Sequence, residues 1–485
     1  MTTPNLPLRR THVIGEMTRP PASCYGAALG IAACSASVTR GVLATMRLRE
    51  KRRGSRSMAT DAGGDTGADG ADGAADAESP LIGAVRAGDT TAVRRILVEH
   101  RGPYVDDAAF CLAVRTHSGA IAQLLLQYGA DPRTGAPGSL LPLREAVDSG
   151  SPALVHALLD DRILGRYAES ELLDARDLAR DWCETGVEAG LRRRTGSEDV
   201  VTRTRVQDDE YNSVDECTLD GMTVRDGHGA VLTRLEELLG ARTPFEELMA
   251  RATVHADQDH ASWAAVTMLL AQRRDRATWT AAAALRTHTE PLHRLFGAEV
   301  LRLTHLFDGS DEDVFAGPAL DTFTGWSAEE TDPAVLAEVL VALGEHSGPR
   351  AEAALLPHAG HHETQVRRAV ARGLGAWPSP PAFSGAVRTA LRELMRDPEA
   401  GVRQDACLTF ADGKDHDPVL IDAMAALMED EDRHVRVIAV YGLARHDDGR
   451  CVEGARRLGP PQPAHPDEEH YLGAAWGYER ERSGR

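Results

Sequence analysis

The dipeptide Val-Arg recurs at nearly regular intervals, at Val366-Arg367, Val402-Arg403 and Val435-Arg436. Each valine is followed by an apolar residue at +4 (Val370, Ala406, Ala439) and at +8 (Leu374, Phe410, Leu443). Positions i, i+4 and i+8 share one face of a helix, so each copy reads as an amphipathic helix with a buried stripe. Val335, Val339 and Leu343 form an earlier copy, and His293, Gly297 and Leu301 a weaker one. A unit this short cannot close a core on its own and must stack on its neighbours, so the period restricts the fold more than any local motif does.

Between the copies lies a second apolar segment, such as Leu420, Met424 and Leu427. Helix starts are expected at Asp332-Pro333, Asp397-Pro398 and Asp417-Pro418, where a capping carboxylate precedes a proline suited to the first turn. Thr243-Pro244-Phe245-Glu246 reads as a capping box. Composition agrees with helices: 42% of residues are hydrophobic but only 5% aromatic, which suits closely packed Ala- and Leu-rich helices.

A different period occupies the first half. Pro80-Leu81-Ile82-Gly83-Ala84, Phe110-Cys111-Leu112-Ala113 and Pro142-Leu143-Arg144-Glu145-Ala146 each end on an alanine, and the three alanines are spaced almost evenly. Nine residues after each alanine stand Val93, Ala122 and Val155, and the apolar pairs Ile96-Leu97, Leu125-Leu126 and Leu158-Leu159 follow at +12 and +13. Two short helices facing one neighbour produce this pattern.

Leu125-Leu126-Gln127-Tyr128-Gly129-Ala130-Asp131 matches the L-L-x-x-G-A-D ending of an ankyrin repeat, with Gly88 and Gly150 in the inter-helix turn. The stretch thus resembles ankyrin repeats over about residues 79–165, although the T-P-L-H box lacks its Thr and His. Residues 168–194 read as a degenerate capping unit. The later period resembles HEAT repeats of the short kind found in bilin-lyase-related proteins, over about residues 257–457. The expected fold is therefore all-α: two α-solenoid arrays, ankyrin-like over 80–195 and HEAT-like over 257–459. An irregular insert with connecting helices over 196–256 joins them, and a tail follows over 460–485.

The formal charge is -20, yet the stretch 1–57 carries ten basic and two acidic groups. The acidic remainder argues against nucleic acid or an anionic membrane as the main partner, since both need clustered positive potential. Residues 22–38 are mostly small and apolar between arginines, but their Ser, Cys, Tyr and Gly, and a length near the lower spanning limit, argue against an anchor. Residues 1–57 read as a basic extension, with the product starting at Met58. The Gly-, Ala- and Asp-rich residues 58–79 read as a disordered acidic linker. The seven scattered cysteines contain no C-x-x-C, which fits a reducing cytoplasm and no zinc knuckle.

Residues 196–230 break the helical period. Within them Asp208, Asp209, Glu210, Tyr211, Asp215, Glu216 and His228 form a charged cluster, read as a candidate partner-binding surface, since a long insert in a solenoid is often functional. Asp226-Gly227-His228-Gly229 adds the residue types of a hydrolytic or metal site, but no nucleophile motif, phosphate loop or H-E-x-x-H accompanies them. Arg367, Arg403 and Arg436 are candidates for a ligand row, or for a structural ladder paired with Asp397 and Asp430. His358, His361, His362 and Glu363 fall in an inter-helix turn, and Asp308, Asp311, Glu312 and Asp313 lack EF-hand spacing, so neither set is read as a metal site. The resemblance implies an adaptor or scaffold whose solenoid surfaces bind a protein or peptide, with no cofactor. A lyase or hydrolase using residues 208–228, and nucleic-acid recognition by the HEAT-like array, are the alternatives.

Overall fold

The computed structural model describes residues 79–99, 107–135, 141–306, 313–375, 382–413, 415–462, 465 and 467–483. The basic extension, the apolar stretch 22–38, the linker up to residue 78 and Asp308, Asp311 and Glu312 lie outside the described residues. Among the described residues no helix is long and apolar enough to cross a membrane.

The first array consists of three helical hairpins: α1 Pro80–Arg86 with α2 Thr90–Glu99, α3 Asp107–Arg115 with α4 Gly119–Gln127, and α5 Pro142–Asp148 with α6 Pro152–Leu158. Four residues after each repeating alanine the chain passes through the left-handed region, at Gly88 (φ 67), His117 (φ 54) and Gly150 (φ 68). This conformation closes the helix end with backbone bonds, such as Ser118 N–H to Ala113 O and Asp89 N–H to Ala84 O. Ala113, Ala146, Val93, Ala122, Leu125 and Leu158 are fully buried, so the stripes inferred from the repeat face one core. Helices α7 Glu169–Thr185 and α8 Val187–Thr195 follow, and α7 packs on α5.

Between the arrays the expected irregular insert is instead an antiparallel sheet of β1 Thr202–Gln207, β2 Ser213–Leu219 and β3 Met222–Arg225, in the order β1-β2-β3. Asp220 (φ 50) and Gly221 (φ 78) form the tight turn between β2 and β3, the Asp-Gly pairing that matches strand twist. Cys217, Leu219 and Val224 pack against Trp182 and Leu191. Helix α9 His228–Leu238 then lies against α7 on one side and the second array on the other.

The second array is a run of helix pairs: α10 Phe245–Thr253 with α11 Ala261–Arg273, α12 Arg276–Ala284 with α13 Pro291–Leu306, and α14 Ala316–Ser327 with α15 Pro333–Gly344. The run continues through α16 Pro349–Leu355 with α17 Thr364–Gly373, α18 Gly385–Leu394 with α19 Ala400–Asp412, α20 Pro418–Ala426 with α21 Arg433–Arg445, and α22 Arg450–Leu458 with α23 Asp467–Ser483. The second helix of each pair packs on the second helix of the next, which makes one continuous core from Phe245 to Ala475. Residues past 460 contribute to it through Tyr471, Leu472 and Ala475 of α23.

Asp332 and Asp417 cap α15 and α20 as their Asp-Pro pairs predict, accepting from Ala334, Val335, Val419 and Leu420 N–H groups. Asp397 does not: α19 starts three residues later behind Glu399, and the Asp397 carboxylate is held by Arg367. Nor does Thr243 form a capping box, because its hydroxyl donates to the buried Glu236 carboxylate at 2.7 Å.

Candidate functional site

The sheet meets the third hairpin through backbone. Arg225 N–H donates to Ser149 O at 2.8 Å and Gly227 N–H to Gly150 O at 3.1 Å. Asp208, at the end of β1, completes the junction: one oxygen accepts from Ser151 Oγ (2.7 Å) and Arg225 (2.8 Å), the other from Ala153 N–H (2.7 Å). A carboxylate placed on the first amide groups of α6 favours the helix end electrostatically. Asp208 is thus no part of a binding surface; its side chain is fully buried and serves to fix the sheet. Arg225 also reaches Glu216 at 3.4 Å and His117 O at 3.3 Å.

His228 likewise presents almost no surface, although it stands in the wall of the cleft described below. It is 2% exposed and stacked on Trp182 with centroids 4.9 Å apart, and neither ring nitrogen has a hydrogen-bond partner. Burial pushes it down to about 4, against smaller upward pulls from Asp148 and nearby backbone, so it is neutral near pH 7. Of the remaining insert residues, Asp209 and Glu210 are exposed and Tyr211, Asp215 and Glu216 half-buried. Asp209 accepts from Tyr211 and Asn212 N–H groups, and Asp215 pairs with Arg203 (3.5 Å) and Arg205 (3.3 Å).

Arg367 and Arg403 form the structural ladder rather than a free row. Arg367 grips Asp397 through two bonds of 2.6 and 2.9 Å, and Arg403 grips Asp430 at 2.7 and 2.8 Å. Each also donates to two carbonyls of its own loop, Arg367 to His361 and His362, Arg403 to Asp397 and Pro398. Arg294 does the same earlier in the array, with Glu330, His288 and Thr289. Arg436 keeps the carbonyl contacts, to Asp430 and Glu431, and lines a small pocket at the far end.

Where sheet, first array and second array converge, a cleft of about 860 Å³ opens. Its walls come from the α7–α8 turn, Arg203 of β1, the start of α9 and the end of α10, with Val254 and His255 at its edge. Val254 is 74% exposed. At its floor Asp226 is held by β2 and by the loop before α11: Oδ1 accepts from Asp215 N–H (2.7 Å) and lies 3.0 Å from His260 Nε2. The His260 Nδ1 accepts from Ser262 N–H at 3.1 Å, capping α11, so the neutral ring carries its proton on Nε2, toward Asp226. His255 stacks on His260 with centroids 3.7 Å apart and sets Nδ1 3.6 Å from Asp226 Oδ2. Burial alone would raise Asp226, but the hydrogen bonds from His260 and from Asp215 N–H hold it below the usual carboxylate range. Burial and the neighbouring His260 push His255 down.

The sequence alone points to Asp226 and His228 but not to His255 and His260, which share no periodic position with them. His358 ends a short 3-10 helix, Leu356–His358, and His361, His362 and Glu363 sit in the loop before α17, where His361 Nδ1 accepts from Glu363 N–H at 3.1 Å.

These features define an α-solenoid built of helical repeats with a β-sheet inserted between its arrays. Residues 323–411 match the family model for HEAT repeats. No curated protein matches the chain. Among solved structures, that of the Escherichia coli protein YibA is 15% identical and covers 49% of this chain and 93% of its own, with a TM-score of 0.36. An engineered protein is 13% identical and covers 83% and 99%, with a TM-score of 0.35.

Proposed function

We propose that the chain is a non-enzymatic scaffold that binds an extended segment of a protein partner in the cleft between its two arrays. The observation that carries this reading is the cleft itself: an opening of about 860 Å³ bounded by three separate substructures, with the exposed Val254 at its rim. A groove between rigid elements, with apolar area and polar groups around it, suits an extended peptide. Many of its charged side chains are already paired, Arg251 with Glu236 and Glu247, Arg192 with Glu188, so contact area and backbone bonds would outweigh charge in recognition. The three hairpins of the first array, read as ankyrin-type units, and the HEAT-type units would act as a frame that fixes the cleft. The free cysteines of the described residues, four of five buried, support a reducing, cytoplasmic setting.

Capture of partners from lysate by the full chain tests this reading when it is compared with an Ala250→Trp/Val254→Glu double variant, which fills the cleft and charges its rim. The expected result is a loss of at least ~10-fold in captured partner with an unchanged melting curve. Equal capture by the two proteins would remove the cleft from the function.

A further inference from the structure

The hydrogen bonds around Asp226 account for one of its oxygens only. Oδ1 has two partners. Oδ2 is buried without one, on a side chain only 5% exposed, and a buried carboxylate oxygen without a donor is costly. It faces His255 Nδ1 at 3.6 Å. One ligand atom from each of Asp226, His255 and His260 lies within 4.8 Å of the others. His260 Nε2 lies 3.0 Å from Oδ1 and His255 Nδ1 3.6 Å from Oδ2, each close to the ~3.4 Å between ligand atoms on a tetrahedral zinc ion.

We propose that Asp226, His255 and His260 bind a divalent transition-metal cation of the zinc class, with its remaining coordination positions turned toward the cleft. Two imidazoles and one carboxylate select such ions over Mg2+ or Ca2+, which take oxygen donors. Asp226 and His255 line the cleft while His260 is wholly buried behind them, so the site has a closed back and an open front. Binding through His260 Nε2 moves that ring's proton to Nδ1 and gives up the Ser262 N–H cap. Ser262 Oγ is also buried without a partner. Arg203 is the competitor: its guanidinium lies 3.6 Å from Asp226 Oδ2 and is 47% exposed, free to swing to Asp215, its other partner.

Titration of the full, metal-stripped chain with Co2+ or Zn2+ tests the site by calorimetry and by the visible absorption of bound Co2+. The expected result is one ion per chain, with Mg2+ at least ~100-fold weaker. His255→Ala should weaken binding by ~100-fold or more without changing the melting curve of the metal-free protein, and Asp226→Asn should weaken it as much while also lowering the metal-free melting temperature, because Oδ1 pairs with His260 and Asp215 N–H. His255→Ala is the deciding variant, because Asp226 also ties β2 to the loop before α11. Arg203→Gln should tighten binding, since it removes a cation from the same carboxylate. Three outcomes would overturn the proposal: no stoichiometric binding, binding that survives His255→Ala, or an affinity that falls in Arg203→Gln.

Discussion

In the first array the recurring element is a backbone conformation, and in the second it is a side chain. Gly88, His117 and Gly150 occupy the same left-handed turn in successive hairpins, and what surrounds them is free to differ. Arg294, Arg367 and Arg403 occupy the same rung in their helix pairs, and each needs a carboxylate in the next unit. A backbone rule constrains one residue and leaves its exterior open for something else to dock. A side-chain rule fixes the neighbour as well. The sheet uses that freedom by seating its backbone on the Gly150 turn.

The largest expected effect separates two turns of the first array. A Cβ on Gly150 would lie 1.9 Å from Arg225 O and 2.6 Å from His228 Cε1, whereas one on Gly88 meets nothing within 4 Å. Gly150→Ala should therefore cost ~4 kcal/mol or more in urea unfolding, from both overlap and backbone strain. Gly88→Ala should cost only the left-handed penalty of ~1 kcal/mol. Equal losses would mean that the sheet is not seated on the third turn.

The ladder should show a gradient along the second array. Arg403→Ala strips Asp430, half-buried with its side chain 7% exposed, of its partner, an expected loss of ~2 kcal/mol. Arg436→Ala removes carbonyl contacts only and should cost ~1 kcal/mol. Thermal melts of the two variants decide it; matching losses would show that the carboxylate contributes nothing beyond the loop carbonyls.

The arrays should also respond to pH with opposite sign. Burial pushes Glu345 of the second array up to about 7, against the pull of Arg302, with Glu338 adding to the rise. The folded state then holds a proton more tightly than the unfolded chain. Its contribution is complete below the unfolded value near 4.5 and lost as pH rises toward 7. Burial and Arg225 push His117 of the first array down to about 4, so its contribution is complete above ~6.5 and lost as pH falls toward 4. Between pH 5 and 8, Glu345→Gln should relieve the second array of a decline on the order of 2 kcal/mol. Hydrogen exchange resolved by region measures both; parallel trends in α3 and α15 would contradict the assignment.

The stripes behind Val366, Val402 and Val435 and the alanines at 84, 113 and 146 were legible because stacking repeats the same burial at a fixed interval. The pairing of Asp397 and Asp430 with arginines was legible for the same reason. The Asp397-Pro398 pair misleads as a helix start because one carboxylate can serve a cap or a rung, and the neighbouring unit decides which. The sheet was hidden for another reason: β1 is largely exposed, its alternating Thr and Arg carry no core stripe, and it is held by pairing with β2, whose own residues pack on Trp182. His255 and His260 were not legible because the fold, not the chain, brings them to Asp226, with the whole of α9 and α10 lying between.

Each rung joins an arginine to the unit after it, while its carbonyl contacts stay within the loop just before it. That makes the second array tolerant of duplication or loss in whole periods. If the stretch 367–402 were excised, Arg403 would follow Val366 and inherit the carbonyls of His361 and His362, while Asp430 would still stand one unit ahead. The grammar of the ladder is thus indifferent to array length, and a lineage could lengthen or shorten this arm by recombination without inventing a new junction.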